Sequence, residues 1–456
     1  MKRNSLSLVV ATFVLAISAV SVRAEIFTAY LTSEQEVPTN PSTAKGYARV
    51  IVNESAGTLT WTVVFNGLTS NQIGCHIHAP AAIGVNAPVV VDLGTIGGTT
   101  GTITGSGTIT PTQLAQLRAG QGYINVHSGN NSGGEIRGQL GRPRPVDYDG
   151  DGRQDLSVLR FPGAGDPRPI TYWNNNTTEG TQILTFGDAL RDFPVPGDYD
   201  GDGETDFALY RSGASAGAQS EFWVFRSSDN TAQLFPFGLF GDQAHCRDFD
   251  GDGKTDFATY RRGAVATDTA VWWIRQSTTN TDRVVPFGLT GNGTTSIDSP
   301  VAGDYDGDGK FDIAVYRFGQ SPTNHFIILR SSDGAVQFRA WGNFNTDYIV
   351  PGDYDGDGKF DFAAARTGAT GSSPLVWWIL NSGSGTSRTQ VFGISSDLPV
   401  QGDYDGDART DLAIYRRGAT VSSVSSFWYY RSLSNTAQLH NWGLQPDFPV
   451  ATFDAR

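Results

Sequence analysis

The decapeptide "GDYDGDGKFD" stands at Gly303–Asp312 and again, identical at every position, at Gly352–Asp361. Near-copies of its core begin at Asp147 ("DYDGDGRQD"), Asp198 ("DYDGDGETD"), Asp248 ("DFDGDGKTD") and Asp403 ("DYDGDARTD"). Together they make six, spaced 51, 50, 56, 49 and 50 residues apart. A period near fifty with strand-like content means one supersecondary unit stacked against its own copies, as in a propeller, and not a set of independent domains.

Each unit has the same internal order. After the acidic loop comes an apolar strand ending in a basic residue ("LSVLR", "FALYR", "FATYR", "IAVYR", "FAAAR", "LAIYR"), then an aromatic strand such as "EFWVF" or "VWWIR". An aromatic-Gly pair follows (Phe186-Gly187, Phe237-Gly238, Phe287-Gly288, Trp341-Gly342, Phe392-Gly393, Trp442-Gly443), and a Pro-Val-type strand leads into the next loop. Four short strands per unit is the content of a propeller blade. Near-continuous apolarity fits strands covered on both faces by neighbouring blades. The expectation is therefore an all-β chain with six four-stranded blades, or seven if part of the N-terminal segment fills a gap. A ring leaves no unpaired edge, and Phe448–Phe453, an echo of the strand before each loop, is read as the closing strand.

The spacing D-x-D-G-D-G-x-x-D puts carboxylates at loop positions one, three, five and nine. These are Asp147, Asp149, Asp151 and Asp155; Asp198, Asp200, Asp202 and Asp206; Asp248, Asp250, Asp252 and Asp256; Asp304, Asp306, Asp308 and Asp312; Asp353, Asp355, Asp357 and Asp361; and Asp403, Asp405, Asp407 and Asp411. Two carboxylates about 5 Å apart repel by roughly 3 kcal/mol at an effective dielectric near 20, so such a loop calls for a cation. Hard oxygen donors at this spacing suit calcium, whereas zinc favours imidazole or thiolate. An EF-hand is excluded, because position twelve holds Val158, Leu209, Thr259, Val315, Ala364 and Ile414 where that motif needs a glutamate. Six loops hold 24 of the 46 acidic residues, and six structural calcium ions would offset half of that charge. Ala408 replaces the second loop glycine in the sixth copy and marks the weakest expected site.

The ninth-position aspartate, the aromatic-Gly pair and the "VPGD" or "VAGD" lead-in resemble FG-GAP or VCBS-like repeats over residues 143–456. The resemblance implies a β-propeller with calcium loops on one rim, beside the innermost strand of each blade.

Residues 25–141 have a different texture, with alternating strands such as "YARVIVN" and "LTWTVVF". The stretches "GCHIHAPAAIGVNAPVVVDL" and "LRAGQGYINVHSGNNSGGEIRGQL" are similar to the CHRD (chordin) domain, which implies an all-β sandwich or barrel-like extracellular interaction domain. Thr110–Arg118 is the best short helix. His76 and His78, two apart in a strand, share a face; with His127 they are candidate ligands of a transition metal, against the alternative that they order a turn or the Glu135–Arg137 region.

At the N-terminus Lys2 and Arg3 precede an apolar run, Leu6–Val20, and Val22-Arg23-Ala24. This reads as an export signal, residues 1–24, cleaved after Ala24, with a secreted or periplasmic product that does not span a membrane. A stiff junction, 142–146, would separate residues 25–141 from a propeller of residues 147–456. No Lys-rich tract meets nucleic acid. Cys75 and Cys246 read as two lone thiols, with pairing the alternative. Trp223, Trp273, Trp378 and Trp428 are taken as core filler in preference to sugar-stacking platforms, and Arg160, Arg211, Arg261, Arg317, Arg366 and Arg416 as partners of the loop aspartates in preference to an anion-binding rim. The functional expectation is a monomeric, calcium-binding, non-catalytic protein that binds an extracellular protein or polysaccharide; the alternative is a carbohydrate-active lyase or hydrolase.

Overall fold

The computed structural model describes residues 24–142, 145–162, 169–176, 180–291, 297–319, 324–343 and 346–454. Nearly all of the export segment read from the sequence, and Pro143-Arg144 of the junction, lie outside the described residues.

Residues 24–139 form one eight-stranded, nearly closed, barrel-like sheet: β1 (Ala24–Thr32), β2 (Lys45–Asn53), β3 (Thr58–Asn66), β4 (Gln72–His78), β5 (Val89–Asp92), β6 (Gly101–Thr108), β7 (Tyr123–Ser128) and β8 (Ile136–Gln139), in the order β5-β4-β7-β8-β1-β2-β3-β6. In β2 and β3 alternate residues turn inward, so Val50, Val52, Trp61, Val63 and Phe65 join Phe27, Leu31, Ile77 and Val126 in one core. The expected helix is present as α1 (Pro111–Arg118). Thr110 caps it reciprocally with Gln113, Pro111 opens it, and Leu114 and Leu117 face the core. No helix among the described residues is long and apolar enough to cross a membrane.

The remaining chain makes six four-stranded sheets, the blades of a propeller. Blade two shows the plan, from the channel outward: Asp192–Pro194, Phe207–Arg211, Gln219–Phe225 and Ala232–Leu239. The first strands of blades three to six are Gln243–Ala244, Ile297–Pro300, Asp347–Ile349 and Leu398–Pro399. Second strands are buried along nearly their whole length, as their unbroken apolarity requires, while fourth strands alternate towards solvent. Blade one takes its first strand from the far end of the chain, where Phe448 and Pro449 pair with Leu159 and Val158. This closing strand is shorter than the sequence suggests. After Val450 donates to the Ser157 carbonyl, the Thr452 hydroxyl folds back onto the Pro449 carbonyl and the chain turns into a short helix, Ala451–Asp454.

One sequence reading is refined here and one is corrected. In the aromatic strands the fully buried residue is the one before each expected tryptophan: Phe222, Trp272, Trp377 and Phe427. Trp223, Trp273 and Trp428 are half-buried and pack against the cores as expected, whereas Trp378 is exposed; these four carry an arginine over the ring at 5.0–5.3 Å, and Trp173 does so at 4.8 Å. The arginines do form ion pairs, but not with the loop aspartates. Arg160, Arg211, Arg261, Arg317, Arg366 and Arg416 each grip, through two hydrogen bonds of 2.6–3.0 Å, a buried aspartate at or just before the first strand: Asp447, Asp192, Asp242, Asp298, Asp347 and Asp397. The same carboxylates accept the backbone N–H just after the aromatic-Gly pair, at 2.6–2.8 Å. Those glycines hold φ of 82–111°, which turns that N–H onto the aspartate and explains the pair.

Asp447 and Arg160 lie at opposite ends of the propeller sequence, so their pair also closes the ring. Asp447→Ala would leave a half-buried guanidinium and a backbone donor unpaired. It is expected to lower stability by about 2–3 kcal/mol, whereas Arg330→Ala, in an exposed hairpin pair with Asp333, should cost less than about 0.5 kcal/mol. Urea midpoints of the two variants check this.

Candidate functional site

Loops two to six connect the first and second strands of their blades, and loop one leads from the junction into the second strand of blade one, so all six lie on one rim. Their backbones are wired alike. The position-six N–H donates to Oδ2 of the position-one aspartate at 2.8–2.9 Å in every loop. The position-two N–H donates to the position-nine aspartate at 2.7–3.0 Å. In blades two to six the other oxygen of that carboxylate takes the N–H of a serine after the third strand: Ser227, Ser277, Ser331, Ser382 or Ser432, at 2.6–2.7 Å. Neighbouring loops are also joined. The position-eight N–H of each donates to the position-one carbonyl of the loop before it, at 2.6–2.9 Å, and Gln154 to Asp403 completes the circle.

This wiring converges carboxylates. Asp147, Asp149 and Asp155, Asp198, Asp200 and Asp206, Asp248, Asp250 and Asp252, and Asp304, Asp306 and Asp308 each bring ligand oxygens within 4.8 Å of one another. Buried Oδ1 atoms of Asp355 and Asp405 make no hydrogen bond. All-oxygen donors, several of them fixed, with lone pairs left over, are the set a hard cation takes. Two loops are partly neutralised from within: Arg153 pairs with Asp151 and Arg409 with Asp407, both at position five. In the sixth loop Ala408 adopts φ 70°, a conformation costing a non-glycine residue about 1 kcal/mol.

The electrostatics follow from crowding. Burial pushes Asp256 up to about 8, with Asp250 adding to it, and Asp361 up to about 7, with Asp355 adding. Burial raises Asp248 and Asp304 to about 7 although Arg142 opposes it, and Asp206 and Asp312 to about 6. Asp147, Asp198, Asp353 and Asp411 are pushed well up for the same reason.

The barrel-like domain sits directly on this rim. Arg153 of loop one stacks over Tyr30 at 3.8 Å, and Gln35 Nε2 donates to the Gly406 carbonyl at 3.3 Å. Arg49 donates to the Gly201 carbonyl at 3.4 Å, and Glu34 pairs with Arg431 at 2.8 Å. Arg142 of the junction bridges Glu25 and Asp248 at 3.6 and 3.7 Å. Contact is close enough that a Cβ on Gly358 would come within 2.9 Å of the Ala119 backbone.

Docking also closes one end of the channel. A cavity of about 180 Å³ lies between Leu117, Arg118, Leu140 and Arg142 on one side and Val301, Phe311, Phe360 and Gln401 on the other. His245, Pro300 and Val301 line both it and a larger space of about 610 Å³, bounded by Phe193, Ala244, Ile349 and Pro399 of the first strands of blades two, three, five and six. Phe193 and Tyr348, on that larger space, keep 41% and 39% of their surface exposed.

In the barrel domain β4 and β7 bring His76, His78 and His127 together on the face opposite the core residues Cys75 and Ile77, with His76 Nδ1 3.0 Å from His127 Nε2. Burial holds the His78 and His127 imidazoles below the usual range. Glu135 instead binds Ser42, Thr69 and Ser128. Both cysteines are buried and free. The six strand-start aspartates were missed from sequence, although an Asp opens "DFPV", "DSPV", "DYIV" and "DLPV" ahead of the loops.

The fold and sites define a two-domain β protein, a barrel-like domain seated on the acidic rim of a six-bladed propeller. The chain carries a CHRD domain, matched over residues 27–140, followed by an FG-GAP-like repeat, matched over residues 248–315, which spans the third and fourth acidic loops. No curated protein matches the chain. Among solved structures it is similar to a putative 6-phosphogluconolactonase from Bacteroides fragilis (12% identity, 67% of this chain and 97% of that one, TM-score 0.34) and to one from Bacteroides uniformis (13%, 65% and 98%, 0.34). A Pyrococcus horikoshii acylaminoacyl peptidase also matches (10%, 87% and 59%, 0.30).

The raised carboxyls fix the pH response of metal-free protein. A folded value above the unfolded one, near 4, contributes stability that is complete below pH 4 and is lost as pH rises through the folded value. In EDTA the melting temperature is therefore expected to fall between about pH 5 and 8, through the values near 6, 7 and 8 given above. A flat or rising profile from scanning calorimetry would contradict the crowding described.

Proposed function

We propose that the protein is an exported, calcium-stabilised binding protein that engages an extracellular protein or polysaccharide without chemical turnover. The carrying observation is the polarity of the channel: the barrel domain covers the acidic rim, while the other mouth is open and presents Phe193 and Tyr348 beside a space of about 610 Å³. Concave, mostly apolar spaces of that size with a few polar groups suit ligand segments. Arg191, Ser212 and Gln243 supply polar groups at this mouth.

Calcium in this reading is structural. Carboxylates at positions one, three, five and nine would hold it, and the ion would supply the positive charge that crowded, buried aspartates lack. Loops one and six, already served by Arg153 and Arg409, are the weaker sites.

Two measurements test this. Asp306→Asn with Asp308→Asn is expected to lower the melting temperature in millimolar calcium and barely change it in EDTA; equal losses in both buffers would remove the cation role. In a pull-down, tagged protein is incubated with cell envelopes and, separately, with extracellular polysaccharide. Retention is expected in calcium, falling at least tenfold in EDTA and in Phe193→Ala/Tyr348→Ala. Retention indifferent to that double variant would move the binding surface away from the mouth, and a changed polysaccharide length would favour an enzyme.

A further inference from the structure

The histidine cluster of the barrel domain is independent of the acidic ring. β4 and β7 are antiparallel neighbours, with Gly74 opposite His127 and His76 opposite Asn125. His76 and His78 thus stand on one face of β4, and His127 lies diagonal to His76 across the strand pair. One ring nitrogen from each of the three falls within 4.8 Å of the others.

Two of the rings are held by the backbone. His78 Nδ1 lies 2.8 Å from the Ala87 carbonyl and His127 Nδ1 2.9 Å from the Ser132 carbonyl. A carbonyl only accepts, so each neutral ring keeps its proton on Nδ1 and carries a lone pair on Nε2. Metal-ligating histidines are oriented by this kind of outer contact. His78 is further clamped by Tyr123, stacked at 4.7 Å and 1°, which Arg137 covers at 3.5 Å from the other side. His78 Nε2 lies 3.1 Å from Asn125 Oδ1, an acceptor like the Ala87 carbonyl on the other nitrogen, so the Asn125 amide must turn its oxygen aside before Nε2 can ligate; His76 Nδ1 lies 3.0 Å from His127 Nε2. Two ligands on one ion with bonds of about 2.0–2.1 Å sit roughly 3.3 Å apart in a tetrahedron, so small ring rotations suffice. Space is provided as well: a Cβ on Gly74 would come within 3.1 Å of His76 Cε1 and 3.6 Å of His127 Cδ2. Towards solvent, His76 is a quarter exposed, and the Asp92 carboxylate stands 4.0 Å from its Nε2.

We propose that His76, His78 and His127 form a mononuclear site for a nitrogen-preferring divalent transition metal, Cu²⁺ or Zn²⁺, with an open position on the Asp92 side. Three imidazoles and no hard-oxygen cage select against calcium. Nε2 of His78 and His127 and Nδ1 of His76 are the donors; His76 changes tautomer as the ion enters, one proton leaving Nδ1 for solvent and one taken up on Nε2, which faces the Asp92 carboxylate. The protein would then carry two chemically distinct kinds of metal site, one in each domain.

The test uses full-length exported protein without a polyhistidine tag, stripped with EDTA and returned to millimolar calcium. Cu²⁺ and Zn²⁺ are titrated separately by calorimetry, with stoichiometry confirmed by elemental analysis. One equivalent of either ion is expected, with affinity falling at least 100-fold in His76→Ala/His127→Ala and unchanged in Asp306→Asn/Asp308→Asn. The wild-type copper form should show several nitrogen ligands by electron paramagnetic resonance, a readout that needs no variant to fold. No stoichiometric binding of either ion, equal binding by the histidine variant, or a copper spectrum without nitrogen ligands would overturn the site.

Discussion

Carboxylate crowding on one rim is the constraint to which the rest of the molecule answers. Twenty-four aspartates are drawn into six loops by backbone N–H groups that fix the position-one, position-five and position-nine side chains. Without a counter-charge the buried members favour protons over ionisation. The backbone wiring persists all the same, because it uses the neutral donors of the loop itself and of the hairpin beside it. The loops are therefore geometrically prepared and electrostatically unsatisfied, a combination that makes charge, not shape, the variable at this rim.

The barrel domain meets that rim with cations and small residues. Arg49 and Arg142 reach into it from above, and Arg153 and Arg409 rise from the loops themselves. Glycine at position six then has two duties: it accepts the left-handed backbone and it allows the neighbouring domain to approach. Gly152 lies against Ala29 and Tyr30, Gly203 against Arg49, Gly309 against Arg142 and Gly358 against Ala119. Ala408, which lines the cavity between the two domains, bears the backbone cost that glycine avoids at the other five positions.

Much of this was legible in the sequence because it recurs. Six loops, four strands per unit and the closing of the ring all repeat, and repetition turns a weak local signal into a strong one. The arginines were legible as paired residues, but their partners were not: each lies nineteen residues upstream in five blades and across the whole propeller in the sixth, while four closer aspartates compete for attention. Strand alternation also cannot say which of two adjacent aromatics is fully enclosed: Phe222 is, while Trp223 packs half-buried against the neighbouring core. His-x-His spacing gave a shared face, but the Ala87 and Ser132 carbonyls that set the tautomers come from elsewhere in the chain. Docking of the two domains had only one local hint, the arginines of "GRPRPV", because it depends on surfaces that exist only after both units have folded.

The circle of hydrogen bonds between loops has a mechanical meaning. It crosses every boundary between blades, so the acidic rim is a hoop that cannot widen at one joint without breaking a bond there. At the opposite rim the recurring Arg–Asp grips lie within blades, but each of their aspartates also takes the N–H that ends the preceding blade's outer strand, and Arg262 of blade three donates to the Asp298 carbonyl of blade four. Blade boundaries are thus bridged at both rims, by backbone carbonyls at the base and by side-chain carboxylates at the mouth. Each strand-start aspartate is a shared rivet: removing one loosens a blade from itself and from its neighbour together.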